Sequence, residues 1–424
     1  MRNFFLRLIN NKTLIKGGLY SLFSFFNKGV SFVLLVLLAN YIAPADYGRL
    51  SLFATIVQFM TIVIALSSEG FFSVSYFQRK GELFRCDMSS IAVITVCNSL
   101  IFCILLLFLQ NWLSRASDLP TFSLWLTIPI AFFTIFLHLL ADYYRVREKI
   151  WTYGAVSVGN AVLNFATSLF LVIAIGLSWK GRAYSQLACT VLFGLLGLFI
   201  FIKDRLFTRN ITWDNIKMVA LWGIPLIPHH AANWVRQGGD RFIINHFYSV
   251  EEVGIFSFAL TITSVIVTIG IAFNSTNSVS IYQTLSLEIS PEQKKKKLDG
   301  ITRNVFRIYI LGFILCFIGG IVLVPILLPQ YSKSVPYFAI TAFYGLLQCL
   351  YFLYSNYLFY YHKNQEVMLI TFFSSLFHLF ASFALTRFSL YLTSIVYVLT
   401  QLIVLLLIKN RCKKVLSEKN YATR

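Results

Sequence analysis

Twelve apolar runs, each near twenty residues long, constrain this chain more than any other feature. They fall near 17–41, 50–76, 89–110, 120–143, 152–177, 183–202, 217–247, 253–279, 304–328, 334–361, 364–386 and 389–408. A helix needs about 20 apolar residues to cross the hydrocarbon core of a bilayer. Barrel strands would instead show short alternating segments. Only 12% of the residues are charged, against roughly 25% in a soluble domain. The expected fold is an all-α integral membrane protein with about twelve transmembrane helices.

A net charge of +19 would suggest a nucleic-acid partner in a soluble protein. Here the basic residues sit in short connections between apolar runs, so no nucleic acid is expected and membrane topology explains them. With the N-terminus inside, 27 of the 36 Lys and Arg fall in inside loops and termini. Six fall outside: Arg49, Arg115, Lys180, Arg182, Lys333 and Arg387. The remaining Lys28, Arg236 and Arg241 lie within spans. This asymmetry places both termini in the cytoplasm. The basic flank Met1–Lys16 leads into an apolar run with no small-residue cleavage site, so that run reads as a retained span. The tetralysine Lys294–Lys297, in the longest connection, reads as a cytoplasmic signal touching anionic membrane lipids. No metal site or disulfide framework is expected, because five of the seven cysteines lie inside apolar runs and none forms a CxxC pair.

One run does not behave like a simple span. Met218–Tyr248 is apolar yet carries His229, Asn233, Arg236, Gln237 and Asp240. Their i, i+4, i+7, i+8, i+11 spacing puts them on one face of a single helix. A charged side chain at the bilayer centre costs on the order of 2.5–3.5 kcal/mol on insertion scales. Such a stripe is tolerated where it faces protein, water or a polar ligand, so it reads as the wall of a polar cavity.

A shift of 206 residues (223 minus 17) aligns the two halves of the chain. Gly17 then meets Gly223, Asn27 meets Asn233, Gly48 meets Gly254, Ser51 meets Ser257 and Thr55 meets Thr261. A six-span period keeps both halves the same way up. The expected domains are therefore two six-helix bundles, 1–210 and 211–424, related by a parallel pseudo-twofold with the site between them. Polar stripes recur at paired positions: Tyr20, Ser24, Asn27, Lys28 and Ser31 in span one, and Tyr337, Thr341, Tyr344, Gln348, Tyr351 and Ser355 in span ten. Spans 1, 2, 4, 7, 8 and 10 are expected to line the cavity.

The segments NYIAPADYGRLSLF, GIPLIPHHAANWVRQGGDRFIINHFYSVEEVGIFSFA and ADYYRVREK resemble the Wzx polysaccharide repeat-unit flippases of the multidrug/oligosaccharidyl-lipid/polysaccharide exporter superfamily. Tyr41–Ile42–Ala43 ahead of Pro44 departs from a frequent Leu-Gly, and the His229–His230 pair is a second departure; both bear on the substrate contacts. The resemblance implies a transporter rather than an enzyme. It would carry an undecaprenyl-diphosphate-linked oligosaccharide, an O-antigen or capsule repeat unit, to the outer leaflet of the bacterial inner membrane by alternating access. A polysaccharide polymerase and a chain-length regulator are the implied protein partners.

The residues suit that cargo. A diphosphate brings negative charge that Lys28 and Arg236 can meet, Arg in bidentate fashion. Lys28 stands about eleven residues, or roughly 16 Å, into its span. Asn27, Asn233, His229, Gln237, Tyr344 and Gln348 complete the expected substrate-binding set. Glu69, Asp142 and Asp240 are the candidates for a coupled H⁺ or Na⁺, although Glu69 and Asp142 also read as solvated end-caps and Lys28 as an ion-pair partner of Asp240. No cofactor is expected. Two competing functions remain in view: a multidrug or metabolite exporter, which would want an acidic cavity, and a membrane polysaccharide polymerase, which would want a long outside loop.

Overall fold

The computed structural model describes residues 12–422, and these are almost entirely helical. Among them, ten helices are long and apolar enough to cross a membrane. The chain is a multi-pass membrane protein. The described residues form two compact units. One takes the chain up to Ile42 together with Arg49–Trp234; the other takes Ala43–Gly48 and the chain from Val235.

The first unit is built from α1 (Lys12–Leu38), most of α2 (Pro44–Ala65), α3 (Glu69–Gln78), α4 (Glu82–Ser117), α5 (Thr121–Val146), α6 (Ile150–Leu169), α7 (Ser178–Lys203), α8 (Trp213–Gly223) and α9 (Ile227–Trp234). Helix α5 lies at its centre and packs on α3, α4, α6 and α7. Its Leu124, Ile130, Ala131, Ile135 and Leu139 are fully buried. Small residues set the distance to α7: a Cβ on Gly194 or Gly197 would come within 2.7 Å or 2.9 Å of the Phe133 or Phe136 carbonyl oxygen. Close backbone approach of this kind is what drives association where lipid is as apolar as the side chains.

The second unit contains α10 (Asp240–Phe247), α11 (Val250–Ser286), α12 (Pro291–Leu327), α13 (Val335–Tyr360), α14 (Asn364–Thr386) and α15 (Leu390–Ala422). Two of its helices start on side-chain caps, Ser249 accepting from the Glu252 amide and Ser290 from the Gln293 amide. Proline follows Ser290 at the first helical position, where its missing N–H costs nothing.

The repeat read from the sequence is visible in who packs on whom. Within the first unit α4 meets α5, α5 meets α7, α1 meets α6, and α6 meets α7. Six spans later, α12 meets α13, α13 meets α15, α10 meets α14, and α14 meets α15. Inside the second unit, the first turn of α2 lies on the first turn of α11. A Cβ on Gly48 would overlap the Val250 carbonyl oxygen, and one on Gly254 would overlap that of Pro44. Shifted by 206 residues, each of these contacts becomes the other.

Three expectations need correction. The seventh run is not one regular helix. It runs as α8, a 3₁₀ turn Ile224–Leu226, α9, a π turn Val235–Gly239 and then α10. Pro225 and Pro228 remove backbone donors, and Gly238–Gly239 lower the cost of a widened turn. The extra residue in the π turn rotates the rest of the span, so the five polar residues do not share one stripe: Asp240 is buried while Gln237 is exposed. Second, the span that carries Glu69 is not one unbroken helix. The helix breaks at Leu66 and Ser67, which take φ of 47° and 56°, and Glu69 opens α3 inside the Pro44–Gln78 span. Third, Arg182 is no loop residue; it lies in the first turns of α7.

Candidate functional site

The π turn ahead of α10 places the polar groups of the second unit. Arg236 sits within it, half-buried, close enough for its charge to act on Tyr344 and Tyr351 of α13. Three residues singled out in the sequence are thus brought together here. Gln348 lies on the same helix and is also half-buried. Gln237 is exposed, and its carbonyl accepts from the Arg241 guanidinium, which also reaches Ser257 Oγ at 3.2 Å.

Asp240, one turn on, has a partner the sequence did not announce. His378 Nε2 of α14 lies 2.8 Å from Asp240 Oδ2, with side-chain exposures of 1% and 2%, so the pair is sealed from solvent. His378 Nδ1 lies 3.1 Å from Thr400 Oγ1 of α15. The Tyr397 ring stands edge-on to the imidazole at 4.9 Å. Both amide atoms of the buried Gln401, one residue after Thr400, lack a partner among the described residues. An imidazole held at both nitrogens has two states. As the neutral form it donates from Nε2 to the carboxylate and accepts at Nδ1 from the threonine hydroxyl. As the imidazolium it donates at both. One added proton therefore converts a pair of charge −1 into a neutral ion pair with no change of partners.

The first unit holds the remaining candidates. His229 Nε2 and Asn233 Nδ2 lie 3.4 Å apart on successive turns of α9, and the Trp234 indole N–H donates to the Thr55 carbonyl at 2.8 Å. Glu69 Oε2 is 3.2 Å from His138 Nδ1 of α5. Asp142 pairs with Arg145 at 2.8 Å. On α1, Lys28 is exposed, whereas its neighbour Asn27 turns into the bundle and bonds Ser157 Oγ.

Asn27 there lines a polar cavity of about 240 Å³ walled by α1, α5, α6 and α7. Arg182 lies on its rim and donates to Asn164 Oδ1 at 2.6 Å. Sequence reasoning missed the place of Arg182 in the cavity wall and the pairing of His378 with Asp240. Arg182 stands at the edge of an apolar run, where a cation is counted with the loop.

Residues 14–281 match the model of the polysaccharide biosynthesis protein family. The Lsg locus putative protein 1 of Haemophilus influenzae is 24% identical over 378 residues, covering 85% of this chain and 88% of that one. Among solved structures, the lipid II flippase MurJ in an inward closed conformation matches with a TM-score of 0.74 at 13% identity, over 93% of this chain and 87% of that one. An inward-facing multidrug resistance MATE family transporter of the MOP superfamily matches with a TM-score of 0.69 at 12% identity, over 93% and 96%. At such identities the likeness establishes the fold, which is the two-bundle helical architecture expected from the repeat.

Proposed function

We infer the function from membership: the chain belongs to the polysaccharide biosynthesis protein family, and its work is to move a lipid-linked saccharide across a membrane. The finer reading is an undecaprenyl-diphosphate-linked O-antigen or capsule repeat unit, carried by alternating access to the outer leaflet of a bacterial inner membrane, with both termini cytoplasmic. The observation that supports it most is Arg236, a half-buried guanidinium held on a π turn with its charge acting on two tyrosines. Arginine matches a phosphate with paired N–H donors, and tyrosine rings offer flat faces to sugars. Lys28, exposed on α1 of the first unit, is a separate candidate for meeting an anionic cargo. That a lipid II flippase shares the fold is consistent with a lipid-linked cargo.

Broken helices within spans suit transport. Irregular backbone at membrane depth is tolerated where it is buried in protein or lines a water-filled path. The 3₁₀ and π turns flanking α9 give the seventh span two points of bending. For the coupling ion, the sealed Asp240–His378 pair favours H⁺ over Na⁺, because the imidazole occupies Asp240 Oδ2 and can itself take the proton. The multidrug reading has less support, since an exposed in-span lysine repels cationic drugs. A polymerase and a chain-length regulator are the proposed partners.

The test is deletion of the gene in a cell that makes a surface polysaccharide. Lipid-linked repeat units should accumulate on the cytoplasmic leaflet, and Arg236→Ala at matched protein level should restore surface polysaccharide poorly. Normal export in the deletion strain would overturn the reading.

A further inference from the structure

The polar cavity inside the first unit is lined by neither Arg236 nor the Asp240–His378 pair, and the proposed function leaves it without a role. Its walls combine two unmet demands. The first is charge. Arg182 carries five N–H donors on a permanent cation, and among the described residues no carboxylate lies within ion-pair distance of it. The cavity wall also carries His138, whose partner Glu69 is engaged with it at 3.2 Å, and Asp142 on the same helix as His138 is engaged with Arg145 at 2.8 Å. Arg182 is instead steadied by the neutral Asn164 Oδ1. A guanidinium left unneutralised at the rim of a cavity calls for an anion.

The second demand is for hydrogen bonds. Asn27 Oδ1 and Asn160 Oδ1 are buried in the cavity wall with no donor among the described residues. A buried polar atom left unpaired costs about 1–3 kcal/mol, so each implies something that fills the space. An anion without O–H groups, such as a fully ionised phosphate diester, would satisfy the arginine and leave these two oxygens unmet. Hydroxyl groups both donate and accept, and so suit an asparagine in either amide orientation. The remaining wall, Leu34 and Leu137 among it, is apolar enough for the C–H face of a ring. The 240 Å³ far exceeds the roughly 10–15 Å³ that one water needs by the same kind of measure, which leaves room for a ligand much larger than a water.

We propose that this cavity is a subsite for an acidic monosaccharide, its carboxylate on Arg182 and its ring hydroxyls on Asn27 and Asn160. The proposal rests on the reading that the cargo is a saccharide, and assigns the first unit a part in choosing among sugars. Arg182 thus becomes a specificity residue for repeat units that carry a uronic acid.

The test uses the full chain in nanodiscs and ligand-detected NMR with free glucuronate, glucose and inorganic phosphate as probes. Glucuronate should bind at least tenfold more tightly than glucose, and Arg182→Gln should remove that difference while leaving the weak glucose binding in place. Ser31→Phe, which adds bulk to the α1 wall of the cavity and leaves the Arg182 side chain in place, should abolish glucuronate binding in a protein that elutes as the wild type does. Glucuronate binding that survives Ser31→Phe, or glucose bound as tightly as glucuronate, or phosphate bound in place of glucuronate, would each overturn the assignment. These results are independent of the deletion experiment. Export that proceeds normally without the gene would remove the flippase reading even if glucuronate bound as expected.

Discussion

The two units share one pattern of helix neighbours and use it for opposite electrostatics. In the second, an acid and an imidazole are buried against each other and sealed. In the first, an arginine stands at the rim of an open polar cavity, with its acids engaged elsewhere. The repeat shows where the two part. By the 206-residue shift Asp240 corresponds to Leu34, a buried apolar residue in the wall of that cavity. A duplicated scaffold can therefore carry a proton-accepting pair in one copy and a cationic cavity in the other. What the copies must keep in common is the packing, and what they are free to change is the side chain facing inward.

The largest effect should come from the shared packing. Gly48→Val or Gly254→Val places branched carbon where a backbone carbonyl oxygen already sits. Neither helix can shift without losing the contact its repeat mate also makes. Both variants should yield no monodisperse protein by fluorescence-detected size exclusion. Wild-type yield and elution for either would show that the two first turns are not held in contact.

Next comes the sealed pair. Removing one partner of a buried ion pair costs about 3–5 kcal/mol, while replacing both with apolar residues is often neutral. Asp240→Leu and His378→Leu should each lower the melting temperature sharply, and the double variant should recover most of it. Transport should stay absent in all three if the pair takes the coupling proton. A double variant that is stable and still exports would reduce the pair to a structural bond.

How much of this was legible beforehand can be said residue by residue. The class of fold was, because hydrocarbon thickness imposes a length on every span and the apolar runs record it. The repeat was, because Gly48 and Gly254 are needed at equivalent close contacts. Asp240 was noticed, but its partner lies 138 residues away, and no local spacing encodes a bond across that distance. The shared stripe on the seventh span was wrong for a local reason. A π turn adds a residue where Gly238 and Gly239 permit it, and a periodicity argument assumes none. The break at Leu66 and Ser67 ahead of Glu69 was hidden by the same assumption of an unbroken helix.

The cationic assignments predict intermediate effects. Lys28→Ala and Arg236→Ala should each reduce surface polysaccharide by tenfold or more at matched protein level, consistent with charge-assisted hydrogen bonds worth about 1.5–3 kcal/mol. Arg236→Lys should recover less than half of the loss, because lysine keeps the charge and loses the fork. Wild-type polysaccharide from both alanine variants would take the diphosphate away from these residues.

The smallest expected effect concerns Trp234, the last residue of the first unit. Its indole donates to the Thr55 carbonyl at 2.8 Å, and its ring lies 5.1 Å from that of Phe59. Trp234→Phe keeps an aromatic ring against Phe59 and removes only the donor, so it should cost about 0.5–1.5 kcal/mol, the net worth of one hydrogen bond. Trp234→Ala should cost about 3–5 kcal/mol if the ring is packed as a core residue. A sugar contact would reverse the emphasis: Trp234→Phe would then leave stability nearly unchanged and reduce export of the saccharide. Thermal unfolding and surface polysaccharide measured on the same two variants decide between anchoring α9 to α2 and touching the cargo. The indole bond within the first unit favours the anchor.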